Sequence, residues 1–130
     1  MNYPVDKVKL LIIDDDPSDQ ILMKQAIKKS AMDVEIYTAS GGKEGIQKIA
    51  VLRPRIVIMD NYMPGLNGLE TCQVVRSLGD QTKIVICTGV VDDNIIKKAK
   101  DSGADECCLK TADYGILINT LKQLIPSIKQ

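Results

Sequence analysis

Histidine is absent from the 130 residues. That excludes imidazole-based zinc sites, histidine general bases and any phosphohistidine carried by this chain. No C-x-x-C pair occurs among Cys72, Cys87, Cys107 and Cys108. Cys72 and Cys87 lie within apolar patterns and read as small buried hydrophobes in a reducing compartment. Cys107 and Cys108 are neighbours in a predicted strand, so they face opposite sides and do not bridge. Neither charge is in excess: Lys plus Arg and Asp plus Glu each number 17. A neutral chain carries no electrostatic footprint for nucleic acid or for an anionic membrane surface. No apolar run approaches transmembrane length, and Met1-Asn-Tyr-Pro-Val-Asp-Lys7 is no signal peptide. A cytoplasmic protein without a membrane partner is expected. Neither G-x-G-x-x-G nor a Walker A sequence appears, so the first βα turn is not built for a dinucleotide or for NTP phosphates.

What is present fits one ordinary domain with a real core: 45% of the residues are apolar and 26% charged. Val8 to Ile13 is a nearly continuous apolar run and reads as the first strand. It ends in Asp14-Asp15-Asp16-Pro17, with Pro17 suited to a first helical turn and Asp16 to its cap. Ser18 to Lys29 reads as helix, Val34 to Thr38 as strand, and Ser40 to Leu52 as helix closed by Pro54. Ile56-Val-Ile-Met59 is a strand buried on both faces. After Asp60 the chain turns through Pro64-Gly65, and Asn67-Gly68 leads into a helix bearing Leu69, Cys72, Val75 and Leu78. Lys83 to Thr88 is a fourth strand. Asp92 or Asp93 caps a helix that stops at Gly103. Glu106 to Leu109 is a fifth strand, and Thr111 or Asp113 opens a last helix frayed by Pro126. Strand and helix alternate five times with no linker, repeat or shift of composition. The fold class is therefore α/β, a five-stranded parallel sheet with helices on both faces. Short connections favour the flavodoxin-like doubly wound order 2-1-3-4-5.

In such a sheet every strand's carboxyl end lies on one edge. The first strand delivers Asp14 and Asp15 there, the third Asp60, the fourth Thr88, and the fifth Lys110. Clustered carboxylates repel and raise one another's pKa. A hard divalent cation relieves this, and oxygen-only ligands suit Mg²⁺. Thr88 and Lys110 suit a phosphoryl group, as a hydrogen-bond donor and a point charge. With the cation held by the other acids, Asp60 is free to attack phosphorus and become an acyl phosphate. The basic run Lys97-Lys98-Lys100 reads as a solvated helix face.

The chain resembles a receiver domain of two-component response regulators, of the chemotaxis-protein type. The resemblance rests on Leu11-Ile-Ile-Asp-Asp-Asp16-Pro, Ile58-Met-Asp60 with Met63-Pro-Gly-Leu-Asn-Gly68, Thr88-Gly89, and Gly103-Ala-Asp105 ahead of Lys110. It covers essentially the whole chain, in order. It implies that Asp60 is the phosphoacceptor, Asp15 a direct ligand of Mg²⁺ (or Mn²⁺), and Asp14 a ligand acting largely through water. The backbone carbonyl of Tyr62 would complete the protein's share of ligation. Thr88 resembles the switch hydroxyl and Lys110 the salt-bridging lysine, while small Gly89 leaves a path for the donor. A partner histidine kinase or histidine phosphotransfer protein would supply the phosphoryl group, docking near Pro17, Ser18 and Ile21. Phosphorylation would bias the fourth strand and its following helix toward an unknown downstream partner or a missing effector domain. The chain is expected to be a phosphoacceptor that assists its own phosphorylation and dephosphorylation, not an enzyme.

Two positions depart from the family. Cys107 stands where an aromatic residue is usual, so the switch must be read without a ring. Thr111 follows Lys110 where proline with a cis bond is usual, and a trans bond is expected because non-proline cis costs about 2.5–4 kcal/mol. Tyr62 is a bulky group at the rim that would shield an acyl phosphate from water. Two alternatives remain open. One is a receiver-like interaction module that binds its partner without phosphate. The other is a small phosphatase of the haloacid-dehalogenase type using Asp14. The expected organisation is one receiver domain over residues 1–130, structured over about 7–125, with no effector domain in this chain.

Overall fold

The apolar run Val8–Ile13 (β1) has neighbours on both sides in a five-stranded sheet. A computed structural model of the chain describes residues 7–128; the outer ends of the 1–130 domain lie outside the described residues. From β1 the chain runs through helix α1 (Pro17–Lys29), strand β2 (Val34–Ala39) and helix α2 (Gly42–Leu52). Strand β3 (Ile56–Met59), helix α3 (Gly68–Ser77), strand β4 (Lys83–Thr88) and helix α4 (Asp93–Asp101) come next. Strand β5 (Glu106–Leu109) and helix α5 (Gly115–Ile128) complete it. All pairings are parallel and the order is β2-β1-β3-β4-β5, the doubly wound order expected.

Alternation along the strands makes two cores. Leu10, Ile12, Ile56, Ile58, Val85, Cys87 and Cys108 pack under α1 and α5, against Met23, Ile27, Leu117 and Leu121. Leu11, Ile13, Val57, Met59, Ile84 and Ile86 face the other way, against Ile49, Cys72, Val75 and Ala99 of α2, α3 and α4. Each large aliphatic side chain fully buried is worth roughly 1.5–3 kcal/mol, which is why β1, β3 and β4 need no polar alternation. Cys107 and Cys108 fall on opposite faces, and all four cysteines are free.

Caps fix where the helices start. Asp16 accepts a hydrogen bond from the N–H of Ser18 (2.9 Å), and Asp92 from that of Ile95 (2.9 Å). Asn67 and Glu70 form a reciprocal capping box at α3. Two boundaries shift by one residue from the sequence reading, α1 opening at Pro17 and β2 ending at Ala39, and three others differ for reasons the structure shows. Helix α2 opens at Gly42 rather than Ser40, because the Ser40 N–H is taken by the Glu44 side chain. Helix α5 opens at Gly115 rather than at Thr111 or Asp113. Tyr114 adopts a left-handed conformation (φ 55°) that carries its ring into the core, and Asp113 accepts from the N–H of Gly115. Pro126 does not end α5, and order extends past residue 125 to Ile128. Ile128 is buried, and the Arg55 guanidinium donates to its carbonyl at 3.0 Å, which satisfies the helix end. No cis peptide bond occurs among the described residues, so Lys110–Thr111 is trans as expected.

Candidate functional site

The ladder places each acid. The Asp14 N–H donates to the Ala39 carbonyl (3.0 Å) and the Asp60 N–H to that of Ile13 (3.1 Å), so both side chains emerge one residue past their strands. The Lys110 N–H donates to the Thr88 carbonyl (2.8 Å), extending the β4–β5 pairing by one residue. Strand order does the rest: β1 and β3 are neighbours, with β4 and β5 beyond them. The β3–α3 loop approaches closely behind Asp60, where a Cβ on Gly68 would lie 2.5 Å from the Asp60 carbonyl oxygen. Only glycine fits there.

Asp14 is fully buried. One carboxylate oxygen accepts from the Asp16 N–H (2.9 Å) and the other from Lys110 Nζ (2.8 Å). The Gln20 amide donates to the Asp14 carbonyl at 2.6 Å. Asp15 is exposed, and Asp16 serves as the cap of α1. Lys110 Nζ also donates to Asp60 (3.1 Å) and to Asp19 (2.8 Å). The three donors of the ammonium are thereby matched by three carboxylates. Burial pushes the Asp14 carboxyl above its ordinary value, and the Lys110 and Asp16 contacts offset this only in part. For Lys110 burial works against the charge, but hydrogen bonds to Asp14, Asp19 and Asp60 outweigh it and hold the ammonium above the ordinary lysine range.

Thr88 is fully buried, and its Oγ1 is the one buried side-chain oxygen or nitrogen among the described residues without a hydrogen-bond partner. Such a hydroxyl costs roughly 1–3 kcal/mol, so the position asks for an acceptor. Asp14, Asp15 and Asp60 each offer a carboxylate oxygen, and these oxygens lie within 4.8 Å of one another. An all-oxygen set with that spacing fits a hard divalent cation. The orphaned hydroxyl and the ammonium fit the oxygens of a phosphoryl group beside it. Tyr62 is exposed at the rim, with its N–H 3.3 Å from an Asp60 oxygen. A Cβ at Gly89 would meet nothing within 4 Å, so the approach is open there.

The remaining sequence candidates lie nearby. Cys107 is half-buried opposite Ile86, two register steps before the Thr88–Leu109 pair. Burial raises the Cys107 thiol and pushes that of Cys72 up to about 11, which leaves both as unreactive packing groups. Cys87 pairs in register with Cys108 on the face under α5. Asp19 is a site residue that sequence reasoning misses. Its one signal is position, in the first turn of a helix that opens directly after Asp14, Asp15 and Asp16. A groove of 760 Å³ between Ile49, Arg53, Val75 and Lys83 opens where β3 and β4 begin, at the opposite end of the strands from these acids. Among the described residues no helix is long and apolar enough to cross a membrane.

Comparison with known proteins agrees with this arrangement. Residues 10–122 match the family described as the response regulator receiver domain. The chain is 32% identical over 114 residues to a probable C4-dicarboxylate response regulator of Priestia megaterium, covering 88% of this chain and 50% of that protein. It is 26% identical over 116 residues to the chemotaxis protein CheY of Thermotoga maritima, covering 89% and 96%. It superposes with a TM-score of 0.80 and 28% identity on the Thermotoga maritima response regulator TrrA, solved in complex with Mg²⁺-BeF, covering 90% and 98%. The chain thus spans about half the length of several curated relatives it matches and nearly all of the chemotaxis protein.

Proposed function

This chain belongs to the response regulator receiver domain family, and from that premise we propose that Asp60 accepts a phosphoryl group from a partner's phosphohistidine. An Asp60 carboxylate oxygen forms the bond to phosphorus as the phosphorus–nitrogen bond of the donor breaks, and the imidazole leaves. The observation that carries this reading is the convergence on Asp60 of a shared ammonium, an orphaned hydroxyl and two further carboxylates.

Asp14, Asp15 and Asp60 are the residues that would hold Mg²⁺ or Mn²⁺, with the Tyr62 carbonyl completing the set. When bound, the cation supplies positive charge against the transferring oxygens. Lys110 neutralises a second side of the phosphoryl group without leaving the site, exchanging its Asp60 bond for a phosphoryl oxygen. Thr88 donates the hydrogen bond that its buried hydroxyl lacks in the unmodified chain. That change at the end of β4 is the local event that biases the β4–α4 segment. Ile21 and Leu22 are exposed on α1 beside the site and support docking of the kinase or phosphotransfer partner there. Regulation of a downstream protein, or of an effector domain in a longer protein, would be the output.

Cys107 favours a second reading, a module that binds its partner without phosphate. Intact mass after incubation with acetyl phosphate and Mg²⁺ separates the two. One added phosphoryl group, lost in Asp60→Asn, is the expected result. No label, with Mg²⁺ binding established, selects the module. Label that persists in Asp60→Asn moves the nucleophile, and Asp14 is then the residue to change.

A further inference from the structure

Lys110 is held by three carboxylates, and they are not equivalent. Asp14 and Asp60 belong to the oxygen cluster suited to a cation, whereas Asp19 stands outside it. A divalent cation and an ammonium compete for the same two carboxylates. When the cation is bound, Asp14 and Asp60 give up much of their hold on Lys110, and the cation repels it. Asp19 then supplies an undiminished contact. It comes from the first turn of α1, whose start is fixed by the Asp16 cap and by Pro17. The contact at 2.8 Å is as short as that to fully buried Asp14. Only 13% of the Lys110 side chain is exposed, so an ammonium freed from Asp19 must leave for solvent or stay unpaired.

We propose that Asp19 is a positioning residue, the tether that keeps Lys110 beside Asp60 while a divalent cation occupies the acidic cluster. This rests on the cation site proposed above. Asp19 touches neither the phosphoryl group nor the cation. It reaches the cluster through Lys110, so its effect there is conditional on the cation, which a merely structural role would not be.

The test reads the lysine directly, on the whole chain. The side-chain ammonium of a hydrogen-bonded lysine gives a ¹⁵N-resolved NMR signal, assigned to Lys110 by its loss in Lys110→Met. In the native chain the signal persists with and without Mg²⁺. In Asp19→Asn it persists without Mg²⁺ and is lost when Mg²⁺ is added, whereas Asp19→Glu retains it. The initial rate of labelling by acetyl phosphate at saturating Mg²⁺ falls roughly tenfold in Asp19→Asn, the worth of one hydrogen bond to a charged group, and recovers in Asp19→Glu. A signal that survives Mg²⁺ in Asp19→Asn overturns the tether. So does a signal already lost without Mg²⁺, which makes Asp19 an ordinary structural partner. If Mg²⁺ perturbs nothing around Asp14, Asp15 and Asp60 in the native chain, the cation site itself fails, and the tether with it.

Discussion

Replacing Lys110 by methionine removes the one cation shared by three acids while keeping much of the apolar stem. The magnitude depends on how far each acid can reach water. The side chains of Asp60 and Asp19 are 12% and 29% exposed and can turn outward, so each loses less than about 1 kcal/mol. Asp14 is 0% exposed and cannot. Stranding one partner of a buried pair costs about 3–5 kcal/mol. Asp14 keeps its Asp16 N–H bond, which favours the lower end. A loss near 3 kcal/mol, divided by an unfolding entropy of roughly 0.27 kcal/mol/K for a chain of this length, lowers the melting temperature by about 11 °C. The assay is urea unfolding of native and Lys110→Met chains in EDTA. Two dependences identify the cause. Burial already holds the folded Asp14 pKa above its unfolded value, and removing Lys110 raises it further. The folded variant therefore binds more protons than its unfolded state as the pH falls toward that pKa, so its deficit narrows from neutral to mildly acidic pH. Mg²⁺ at a hundred times its dissociation constant adds about 2.7 kcal/mol to a chain that binds it only when folded, and without a competing ammonium the variant binds it more tightly than the native chain, so the deficit narrows. A deficit below about 1 kcal/mol, or one indifferent to both pH and Mg²⁺, refutes the account of Asp14 as a buried charge neutralised by Lys110.

Thr88→Val removes the orphaned hydroxyl at nearly constant shape. It is expected to stabilise the unmodified chain by about 1 kcal/mol and to shorten the life of the phosphorylated form; urea midpoints and the decay of labelled mass check both. Gly68→Ala places a methyl 2.5 Å from the Asp60 carbonyl oxygen and 2.9 Å from Asn61 Cα. Because both are backbone, the loop must shift, with a loss of about 1–3 kcal/mol and slower labelling of Asp60. Unchanged stability would mean the loop yields freely. At alkaline pH, Lys110 and Tyr114 act in the same direction. Tyr114 is raised by burial first and then by the Asp19 charge, and Lys110 by its three carboxylates against the cost of burial. Each folded pKa exceeds its unfolded value, so their stabilisation is whole below about pH 10 and is lost as the pH rises beyond it. Tyr114→Phe should flatten the fall above about pH 10, as read by thermal midpoints.

The site is legible in the sequence where its chemistry sits at strand ends. Apolar runs such as Leu10 to Ile13 and Ile56 to Met59 admit few readings other than buried parallel strands. The residue after each run must then fall on the shared edge. That logic places Asp14, Asp60, Thr88 and Lys110 without any contact being known. It does not reach Asp19, because the Asp19–Lys110 bond spans 91 positions and joins the first turn of α1 to the residue that follows β5. Nor does it find the start of α5. Propensity allows Thr111 or Asp113 to open that helix, and only burial of the Tyr114 ring explains a left-handed tyrosine there. The passage of α5 through Pro126 has the same kind of cause, a tertiary hydrogen bond from Arg55 that the local sequence does not announce.

Two features that cost stability lie together at one edge of the sheet. A fully buried carboxylate and a hydroxyl without a partner each weaken the unmodified chain, the first offset by the Lys110 ammonium and the second by nothing. On the proposed reading a single event relieves them together. A cation reduces the repulsion, the phosphoryl oxygens accept from Thr88, and Lys110 gains a partner in place of Asp60. The free energy released at the end of β4 is then available to reorder the β4–α4 segment. Cys107 limits how that is transmitted. On that reading, a cysteine opposite Ile86, two residues before Thr88 along β4, has too little volume to follow a moving threonine as a ring would, and an unfilled methyl-sized void costs about 1 kcal/mol. Transmission by backbone adjustment of the β4–α4 loop avoids that void. On the proposed reading the signal then falls to Gly89, Val90 and the capped start of α4 rather than to a rotating ring.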